Sequence, residues 1–481
     1  MSIRHLETLF SPASVAVIGA SEREGSLGRV IFEQILAGGF EGPVWPVNPK
    51  RDRVLGHDAY PEPGALPRAP DLAVVTTPAH AVPGAIEARG AAGGRTAIVI
   101  SAGLERDTTL RARMLEAAGR HGLRIVGPNC LGMLRPNLCL NASFAHRLPL
   151  GGRLAFLSQS GALVGGVIDW AHDHGIGFSH VVSMGDQADV DVADLLDYLA
   201  TDTESRAILL YLEGIEDAPA FMSAARAAAR VKPVIALKSG RHAQGAKAAT
   251  SHSGALAGTD ALFDAAFERA GILRITYLDE LFDAAAILDR AKSPGAGTGE
   301  RLAIVTNGGG AGVLAADALA DAPGDGAGRL ATLSDETMAR LDAALPTHWS
   351  HANPVDVIGD AGPERYAAAM DAVLADPGVD AVLAMNCPTA LASGESAAEA
   401  VAEAWTRHAR GRFRPKPVLA NWLGGSGAAK AARGLLERAG IPSFRTPAEA
   451  VRAFGYLVRR GRLLEKLARV PPSRRDGAAP D

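Results

Sequence analysis

The chain has 481 residues, of which 47% are hydrophobic and 21% are charged, and its formal net charge is −4. This length exceeds what one hydrophobic core supports and predicts two to four domains. The weak negative charge excludes the basic surface of a nucleic-acid-binding protein, and no run reaches the roughly 18 apolar residues of a membrane span. The three cysteines have neither metal-site nor disulfide spacing. Together with an N-terminus unlike a signal peptide, this predicts a cytoplasmic protein without a metal site.

The first third of the chain alternates short apolar runs with amphipathic segments. The runs are rich in Val and Ile and span residues 14–19, 43–47, 71–77, 96–101 and 123–127. Continuous apolar runs separated by helices predict a doubly wound parallel sheet, whose ligands lie beyond the carboxyl ends of the strands. The residues at those ends are Gly19, Asn48, Thr77, Ser101 and Asn129.

The rest of the chain contains an internal repeat. RLAFLSQSG from Arg153 matches RLAIVTNGG from Arg301, KPVIALKSG from Lys232 matches KPVLANWLG from Lys416, and 270–288 matches 439–457. Three matches in the same order predict two flavodoxin-like domains related by duplication. We therefore expect three consecutive doubly wound α/β domains, the first Rossmann-like. The predicted bounds are 1–146, 147–295 and 296–465, followed by a disordered tail over 466–481.

The two copies differ in length at one place. The first copy spans Ala236 to Ile272 in 37 residues, whereas the second spans Ala420 to Ile441 in 22. The 15 extra residues include GAKAATSHSGALAGT, a small-residue segment centred on His252, which core packing does not explain. An imidazole is a competent nucleophile because its unperturbed pKa is about 6.5. We interpret His252 as a nucleophile; the alternative is an ordinary surface or core histidine.

Two matched strand-to-helix turns are candidate phosphate sites. Each combines a strand end, small residues and a helix N-terminus, whose free N–H groups and dipole bind anions. The turns comprise Ser158, Gln159, Ser160 and Gly161 in the first copy and Asn307, Gly308, Gly309 and Gly310 in the second. Two such turns facing each other would hold a phosphoryl group. The alternative is a pair of tight turns that bind nothing.

Glu213 ends an otherwise apolar strand, ILLYLEG. A carboxylate at this position can accept the Nδ1–H of a histidine and stabilise the imidazolium that phosphorylation produces. The second copy has Cys387 near this place and also lacks the histidine segment. The alternative is a solvent-exposed acid at the end of a strand.

The first strand is followed by GASEREGSLG over 19–28, which is not a GxGxxG fingerprint. An NAD site would also need an acidic residue after the second strand, where this chain has VNPK over 47–50. Lys50 indicates a phosphorylated ribose. Both NADP and the 3′-phosphate of CoA satisfy this pattern.

With these residues in view, the chain resembles the α subunit of ADP-forming (NDP-forming) acyl-CoA synthetases, a group related to succinyl-CoA synthetase. The resemblance covers about residues 5–460. It is carried by GAS (19–21), VNPK (47–50), TTPA (76–79), ISAGL (100–104), GPNCLGM (127–133), SQSGAL (158–163), LEGIED (212–217), TSHSGALAG (250–258) and NGGGAG (307–312).

The resemblance implies a role for each domain. The first would bind CoA, the second would carry a phosphorylated histidine supported by the glutamate of LEG, and the third would lend a helix N-terminus to the phosphate site. Position by position, the catalytic roles fall on His252 and Glu213, and phosphate binding falls on 158–161 and 307–310. The implied CoA contacts are Gly19, Ala20, Ser21, Glu22, Lys50, Ile100, Ser101, Ala102 and Asn129.

The chain departs from succinyl-CoA synthetases, which read SxSGTLTYE after this strand, because it has Ala162, Leu163, Val164 and Gly165 instead. Succinate is therefore not expected, and other small carboxylic acids stay open. About twenty residues follow the third domain, too few for an ATP-grasp domain. We expect that domain on a β subunit of a hetero-oligomer, with ADP or ATP and Mg bound there.

The resemblance implies interconversion of acyl-CoA, ADP and phosphate with a carboxylic acid, CoA and ATP. The intermediates would be an acyl phosphate and a phosphohistidine. Two alternatives stay open: a non-catalytic regulatory subunit that binds CoA or acyl-CoA, and an NADP-dependent oxidoreductase built on the first domain.

Overall fold

A computed structural model describes residues 3–245, 247, 259–290, 299–322, 328–412, 415–425 and 427–469. The chain divides into two compact units, Met1–Leu278 and Asp279–Asp481. Among the described helices, none combines the length and the apolar character needed to cross a membrane. His252 and most of the inserted segment around it lie outside the described residues.

The first unit begins with a five-stranded parallel sheet. Its strands and an adjoining hairpin are β1 (Val15–Ile18), β2 (Val44–Val47), the hairpin strands β3 (Arg53–Val54) and β4 (His57–Asp58), β5 (Leu72–Val75), β6 (Thr96–Val99) and β7 (Arg124–Val126). The helices are α1 (Leu6–Phe10), α2 (Leu27–Gly38), α3 (Val82–Ala91) and α4 (Thr108–His121). The sheet order is β2-β1-β5-β6-β7. The residues of β1, β5 and β6 are buried throughout, as expected for a sheet covered on both faces.

The second sheet of this unit has seven strands. They are β8 (Gly132–Arg135), β9 (Leu140–Ser143), β10 (Gly151–Ser158), β11 (Phe178–Ser183), β12 (Ala207–Leu212), β13 (Val234–Lys238) and β14 (Leu273–Ile275). Its helices are α5 (Gly161–Asp173), α6 (Val192–Thr201), α7 (Ala218–Val231) and α8 (Asp260–Ala270). The order is β14-β13-β12-β10-β11-β8-β9, with β8 and β9 antiparallel at one edge.

Backbone segments join the two sheets of the first unit in both directions. The β8–β9 hairpin follows the first sheet along the chain but pairs with β11, through Met133 and Val182. In return, residues 186–190 run beside β7: the Ala188 N–H donates to the Gly127 carbonyl at 2.9 Å, and the Val190 N–H donates to the Ile125 carbonyl at 3.0 Å. The end of the first sheet is therefore fixed to the turn that follows β11.

The second unit contains one further sheet. Its strands are β15 (Arg301–Thr306), β16 (Arg329–Leu330), β17 (Val355–Asp356), β18 (Ala381–Asn386), β19 (Val418–Trp422) and β20 (Ser443–Phe444). Its helices are α9 (Leu278–Arg290), α10 (Gly309–Ala320), α11 (Asp335–Ala344), α12 (Pro363–Ala375), α13 (Gly394–Ala409), α14 (Gly427–Arg438) and α15 (Pro447–Ala468). The order is β16-β15-β18-β19-β20, and β17 also pairs with β15.

The three sheets share one topology. If the parallel main strands of each sheet are numbered along the chain, leaving out the short β17, every sheet has the order 2-1-3-4-5. In such a sheet the order in which successive strands are added reverses between strands 1 and 3, and a crevice for ligands opens beyond their carboxyl ends. The switch points lie between β1 and β5, β10 and β12, and β15 and β18. The two candidate phosphate turns, Glu213 and the turn that starts at Gly19 follow these strands.

Candidate functional site

The turn after β10 is held by two serines. Ser158 Oγ donates to the Ser160 carbonyl at 2.8 Å and accepts from the Ser160 N–H at 3.1 Å. Ser160 then caps α5, because its Oγ accepts from the Leu163 N–H at 3.4 Å. This local network fixes the direction in which the helix N-terminus points, which is what an anion site there requires.

The turn after β15 has the same hydrogen bonds. Thr306 Oγ1 donates to the Gly308 carbonyl at 3.2 Å and accepts from the Gly308 N–H at 3.1 Å. Gly308 is the N-cap of α10 and has no side chain to cap the helix. A Cβ built on Gly310 would meet no heavy atom within 4 Å. The first turn of α10 is therefore uncovered at Gly310, whereas a Cβ on Gly309 would lie 2.8 Å from Asp356 Oδ2.

Gln159 connects the first of these turns to the end of the neighbouring strand β12. Its Oε1 accepts from the N–H groups of Glu213 and of Gly214, the latter at 3.0 Å, and its Nε2 donates to the Gly214 carbonyl at 2.8 Å. The half-buried Glu213 is thereby fixed at the switch point, next to the turn at 158–161. The structure brings these predicted site residues together.

The second copy repeats this arrangement without the carboxylate. Asn307, which aligns with Gln159, accepts from the Cys387 N–H at 2.7 Å and donates to the Cys387 carbonyl at 2.9 Å. Strand pairing gives the same register in both sheets, since Ala155 pairs with Ile208 and Ala303 with Val382. Counted from these pairs, Cys387 is the positional counterpart of Glu213. Its thiol pKa is raised by burial and, to a smaller extent, by the charge of Asp356.

A buried lysine that the sequence analysis did not single out lies one strand further along. Lys238 ends β13, pairs in register with Leu212 and has only 2% of its surface exposed. Its ammonium donates to the Ser239 carbonyl and lies 4.5 Å from the centre of the Phe263 ring. Burial lowers its pKa. No periodicity distinguishes this lysine, because its burial depends on α8 packing against it.

The turn after β1 is built from close backbone contacts. Gly19 has a φ of +97°, and a Cβ on Gly28 would lie 2.0 Å from the Gly19 carbonyl oxygen. Glycine is therefore required at both positions for α2 to begin this close to β1. The turn is also tied to the end of β2, because Asn48 Nδ2 donates to the Ala20 carbonyl at 2.7 Å. Asn48 Oδ1 in turn accepts from the Lys50 N–H at 2.8 Å.

The remaining implied CoA residues lie along the same edge of the first sheet. Glu22 accepts from the Leu55 N–H at 2.6 Å, and the side chain of Ser21 accepts from the Arg23 N–H at 3.1 Å. Ile100 is buried with 3% of its surface exposed, whereas Ala102 is exposed. These residues and Lys50 share the carboxyl edge predicted for them.

Ser101 and Asn129 form the far end of this edge. Ser101 Oγ donates to the Thr77 carbonyl at 2.5 Å, and the Asn129 N–H donates to the Ser101 carbonyl at 3.1 Å. Asn129 is exposed and has a left-handed φ of +56°. Thr77 Oγ1 is buried with no hydrogen-bond partner in the described part of the chain, so Thr77 joins the candidate residues of this crevice.

Within the first unit, the segment after Asn129 reaches the turn at 158–161. The Leu131 N–H donates to Ser183 Oγ at 3.0 Å, and a Cβ on Gly161 would lie 3.3 Å from Leu131 Cβ. The Met184 N–H also donates to the Ser158 carbonyl at 2.8 Å. The implied CoA residues and the first candidate phosphate turn are therefore parts of one continuous network.

Comparison with known families matches each part of the chain to a described domain. Residues 13–136 match a CoA binding domain, 151–288 a succinyl-CoA ligase like flavodoxin domain, and 302–464 a Ligase-CoA domain. The chain is 37% identical to the α subunit of ADP-forming acetate–CoA ligase I from Pyrococcus furiosus, over 94% of this chain and 97% of that subunit. This chain belongs to the α-subunit family of ADP-forming acyl-CoA synthetases.

Two further comparisons extend this assignment of the synthetase α chain. This chain is 40% identical to ADP-forming acetate–CoA ligase I from Archaeoglobus fulgidus. The match covers 96% of this chain and 64% of the length of that relative. This chain also resembles the solved structure of dinucleotide-forming acetyl-coenzyme A synthetase 1 from Ca. Korarchaeum cryptofilum, a complex with phosphate and ADP. That match has a TM-score of 0.87 and 34% identity, and it covers 96% of this chain and 98% of the other.

The family and the fold predicted from the sequence are thereby confirmed, including the flavodoxin-like domains and the ligase class of the relatives. The same matches support the catalytic α-type interpretation over the regulatory alternative. The match to a CoA binding domain favours CoA over NADP, the choice that Lys50 left open. The roles of individual residues and the domain bounds stay predictions.

Proposed function

We propose that this synthetase α chain binds CoA and carries a phosphohistidine in an acid–CoA ligase that forms ATP from ADP. Acetate is the acid we propose first, because the relatives from P. furiosus and A. fulgidus are named acetate–CoA ligases. The observation that supports this most directly is the set of hydrogen bonds from Gln159, here called the Gln159 clamp, which fixes Glu213 next to the candidate phosphate turn at 158–161. Glu213 would accept the Nδ1–H of His252 and stabilise the phosphorylated ring.

The proposed reaction has three balanced steps. An oxygen of inorganic phosphate attacks the acyl carbon of acyl-CoA, the C–S bond breaks, and the CoA thiolate takes up a proton. A nitrogen of His252 attacks the phosphorus of the acyl phosphate, and the P–O bond to the acyl group breaks to release the carboxylate. The terminal phosphate of ADP then attacks the phosphohistidine, and cleavage of the P–N bond gives ATP. Backbone N–H groups at the turns 158–161 and 307–310 would stabilise the phosphoryl charge.

We propose that the nucleotide and its Mg are bound by an ATP-grasp domain on a β subunit, in a hetero-oligomer. The name of the P. furiosus relative, subunit alpha, supports a separate partner chain. The first domain would hold CoA along the crevice from Gly19 to Asn129. A location in the cytoplasm agrees with the small number of cysteines in the chain.

Phosphate labelling tests this proposal without the partner subunit. The chain is incubated with acetyl-CoA and radioactive inorganic phosphate, and protein-bound label is measured after acid and after alkali. A phosphohistidine loses its label in acid and keeps it in alkali. His252→Ala is expected to abolish the label, because it removes the nitrogen that accepts the phosphoryl group.

The matched control is His242→Ala, which removes an exposed histidine ten positions earlier in the chain. This variant is expected to keep full labelling. Undiminished acid-labile labelling of His252→Ala would refute the proposed role of His252. No labelling of the unmodified chain by any acyl-CoA would overturn the proposed function.

A further inference from the structure

The turn that follows β11 is pressed against the segment that carries Asn129. The Asp186 N–H donates to the Pro128 carbonyl at 2.9 Å. Gly185 has a φ of +56°, and a Cβ on it would lie 2.1 Å from the Pro128 oxygen, which leaves no space for a side chain. The backbone of this turn thus sets the position of the Asp186 carboxylate relative to Asn129.

The carboxylate of Asp186 interacts with Asn129 through a single oxygen. Its Oδ1 accepts from Asn129 Nδ2 at 3.1 Å. Its Oδ2 is buried and has no hydrogen-bond partner within the described ranges. A buried, unpaired carboxylate oxygen costs free energy. The one bond that this carboxylate makes to a side chain, within the described ranges, is the bond from Asn129.

An ionised carboxylate only accepts hydrogen bonds, whereas an amide side chain has a donating and an accepting end. Asp186 therefore fixes which end of the Asn129 amide faces it, namely Nδ2. The accepting Oδ1 of Asn129 is then left for other partners. Asn129 is exposed, and it lies between Ser101 of the first sheet and Leu131, which contacts the turn at 158–161.

We propose that Asp186 is a positioning residue that holds the Asn129 amide with its Oδ1 facing bound CoA, where it accepts from an amide N–H of the pantetheine arm. This inference rests on the proposed function, because it requires CoA in the crevice of the first domain. If so, the turn after β11, which belongs to the predicted second domain, influences CoA binding in the first domain through Asn129.

The substitution Asp186→Asn tests this directly. An amide at 186 can donate as well as accept, so the Asn129 side chain is no longer held in one orientation. The KM for CoA is expected to rise about three- to tenfold, which corresponds to the loss of one neutral hydrogen bond. The KM for phosphate and the acyl-independent labelling of His252 by ATP and the partner subunit are expected to stay unchanged.

Asn129→Ala serves as the second variant, and a variant with both substitutions completes a double-mutant cycle. If Asp186 acts through Asn129, Asn129→Ala raises the KM for CoA by a similar factor, and adding Asp186→Asn raises it no further. Multiplied effects in the double variant would overturn the inference. So would an unchanged KM for CoA in Asp186→Asn.

Asp189→Asn is the control that distinguishes loss of the Asn129 orientation from general destabilisation of the contact between residues 186–190 and β7. Asp189 lies on the same segment and bonds Arg124 at 3.0 Å and the Ile125 N–H at 2.7 Å, which are both in β7. This variant is expected to lower the melting temperature and to leave the KM for CoA unchanged. A CoA effect of equal size in Asp189→Asn would show a merely structural role and would overturn the inference.

The pH dependence of CoA binding gives a further readout. The pKa of Asp186 is raised, mainly by burial and to a smaller extent by the charges of Glu105 and Glu216. The hydrogen bond from Asn129 and the charge of Arg111 act in the opposite direction. Burial raises the pKa of the nearby Cys130 thiol, and the charge of Asp186 raises it further. Protonated Asp186 no longer requires a donor, so the KM for CoA is expected to rise as the pH falls through the pKa of Asp186. Asp186→Asn should lose this rise; a profile identical to that of the unmodified chain would contradict the inference.

Absence of CoA binding by the unmodified chain in calorimetry would overturn the proposed function, and this inference with it. Normal CoA binding together with an unaffected Asp186→Asn variant would overturn the inference alone.

Discussion

The side-chain amide of Gln159 bonds both backbone polar groups of Gly214, accepting from its N–H at 3.0 Å and donating to its carbonyl at 2.8 Å. The same amide oxygen accepts from the N–H of Glu213. Gln159→Ala would release this strand end, and the rate of phosphohistidine formation is expected to fall about 10- to 100-fold, since small misplacements of a supporting group are costly. Single-turnover labelling with acetyl-CoA and phosphate measures this rate.

A graded variant and one control measurement define the result. Gln159→Asn keeps the donor and the acceptor of the amide on a side chain one methylene shorter, as in Asn307 of the second copy, so a smaller loss is expected. The affinity for CoA, measured by calorimetry, should not change in either variant. A full labelling rate in Gln159→Ala would show that the clamp does not position Glu213 for the reaction.

Glu213→Gln removes the charge of the carboxylate and keeps the shape of the side chain. The neutral amide stabilises an imidazolium less than a carboxylate does, so labelling of His252 is expected to slow by at least about tenfold. CoA affinity should be preserved, because Glu213 follows β12 and the implied CoA contacts lie on the first sheet. A large loss of CoA binding would instead assign Glu213 to the CoA site or to structural support.

The sequence predicted the elements that depend on local pattern. Each of the five apolar runs of the first domain contains one strand of the observed sheet, and the internal repeat corresponds to two sheets of identical topology. In the sequence, the equivalence of Glu213 in the first copy and Cys387 in the second copy was visible only as an approximate alignment. The strand register makes this equivalence definite. Ala155 pairs with Ile208 and its counterpart Ala303 pairs with Val382, and Glu213 and Cys387 each lie five residues further along.

The sequence did not predict the contacts between elements that are distant along the chain. The sequence analysis did not identify the β8–β9 hairpin, which lies within the predicted bounds of the first domain and pairs with β11. Asp186 has no distinctive spacing, and its importance appears only once its Oδ2 is buried without a partner in the described residues. Lys238 resembles an ordinary strand-end lysine until α8 covers it.

Two of the three glycines in the second candidate phosphate turn, Gly308 and Gly310, are expected to respond differently to substitution. A Cβ on Gly308 would lie 2.5 Å from Cys387 Sγ, whereas a Cβ on Gly310 would meet open space. Gly308→Ala should therefore destabilise the chain by about 1–3 kcal/mol through overcrowding. Gly310→Ala should be neutral or stabilise the helix by up to about 1 kcal/mol.

Denaturant unfolding of both variants checks this contrast. Adding Cys387→Ala to Gly308→Ala removes the Sγ contact and leaves a Cβ at 3.1 Å, so part of the lost stability should return. Equal stability of the two single variants would contradict the packing argument.

Lys50 is exposed beside the turn that follows β1, and its backbone is fixed by Asn48. If its ammonium binds the 3′-phosphate of CoA, Lys50→Ala should weaken CoA binding about tenfold and leave the weaker binding of 3′-dephospho-CoA unchanged. Calorimetric titration with both compounds measures this difference. Equal weakening for both ligands would place Lys50 away from the ribose phosphate.

Arg301 and Asp380 join the starts of β15 and β18 through an ion pair that predicts a pH dependence of stability. Arg301 donates to Asp380 from its backbone at 2.9 Å and from its guanidinium at 2.7 and 2.8 Å. Burial alone would raise the pKa of Asp380, but the hydrogen bonds and charge of Arg301 lower it below its ordinary value. A lowered folded pKa means that the pair stabilises the fold above the unfolded pKa of about 3.9. This contribution is lost as the pH falls through the folded pKa.

Asp380→Asn is therefore expected to lower stability by about 1–3 kcal/mol at neutral pH, and the deficit should shrink below about pH 4. Thermal unfolding of the full chain between pH 3 and pH 7 measures both effects. The matched control is Asp371→Asn, which breaks an ion pair with Arg407 at 3.0 Å whose side chains are 43% and 48% exposed. An exposed pair contributes little, so this control should change the melting temperature by no more than about 2 °C. A deficit in Asp380→Asn that stays constant down to pH 3 would show that packing, and not the charge of Asp380, holds the two strand ends together.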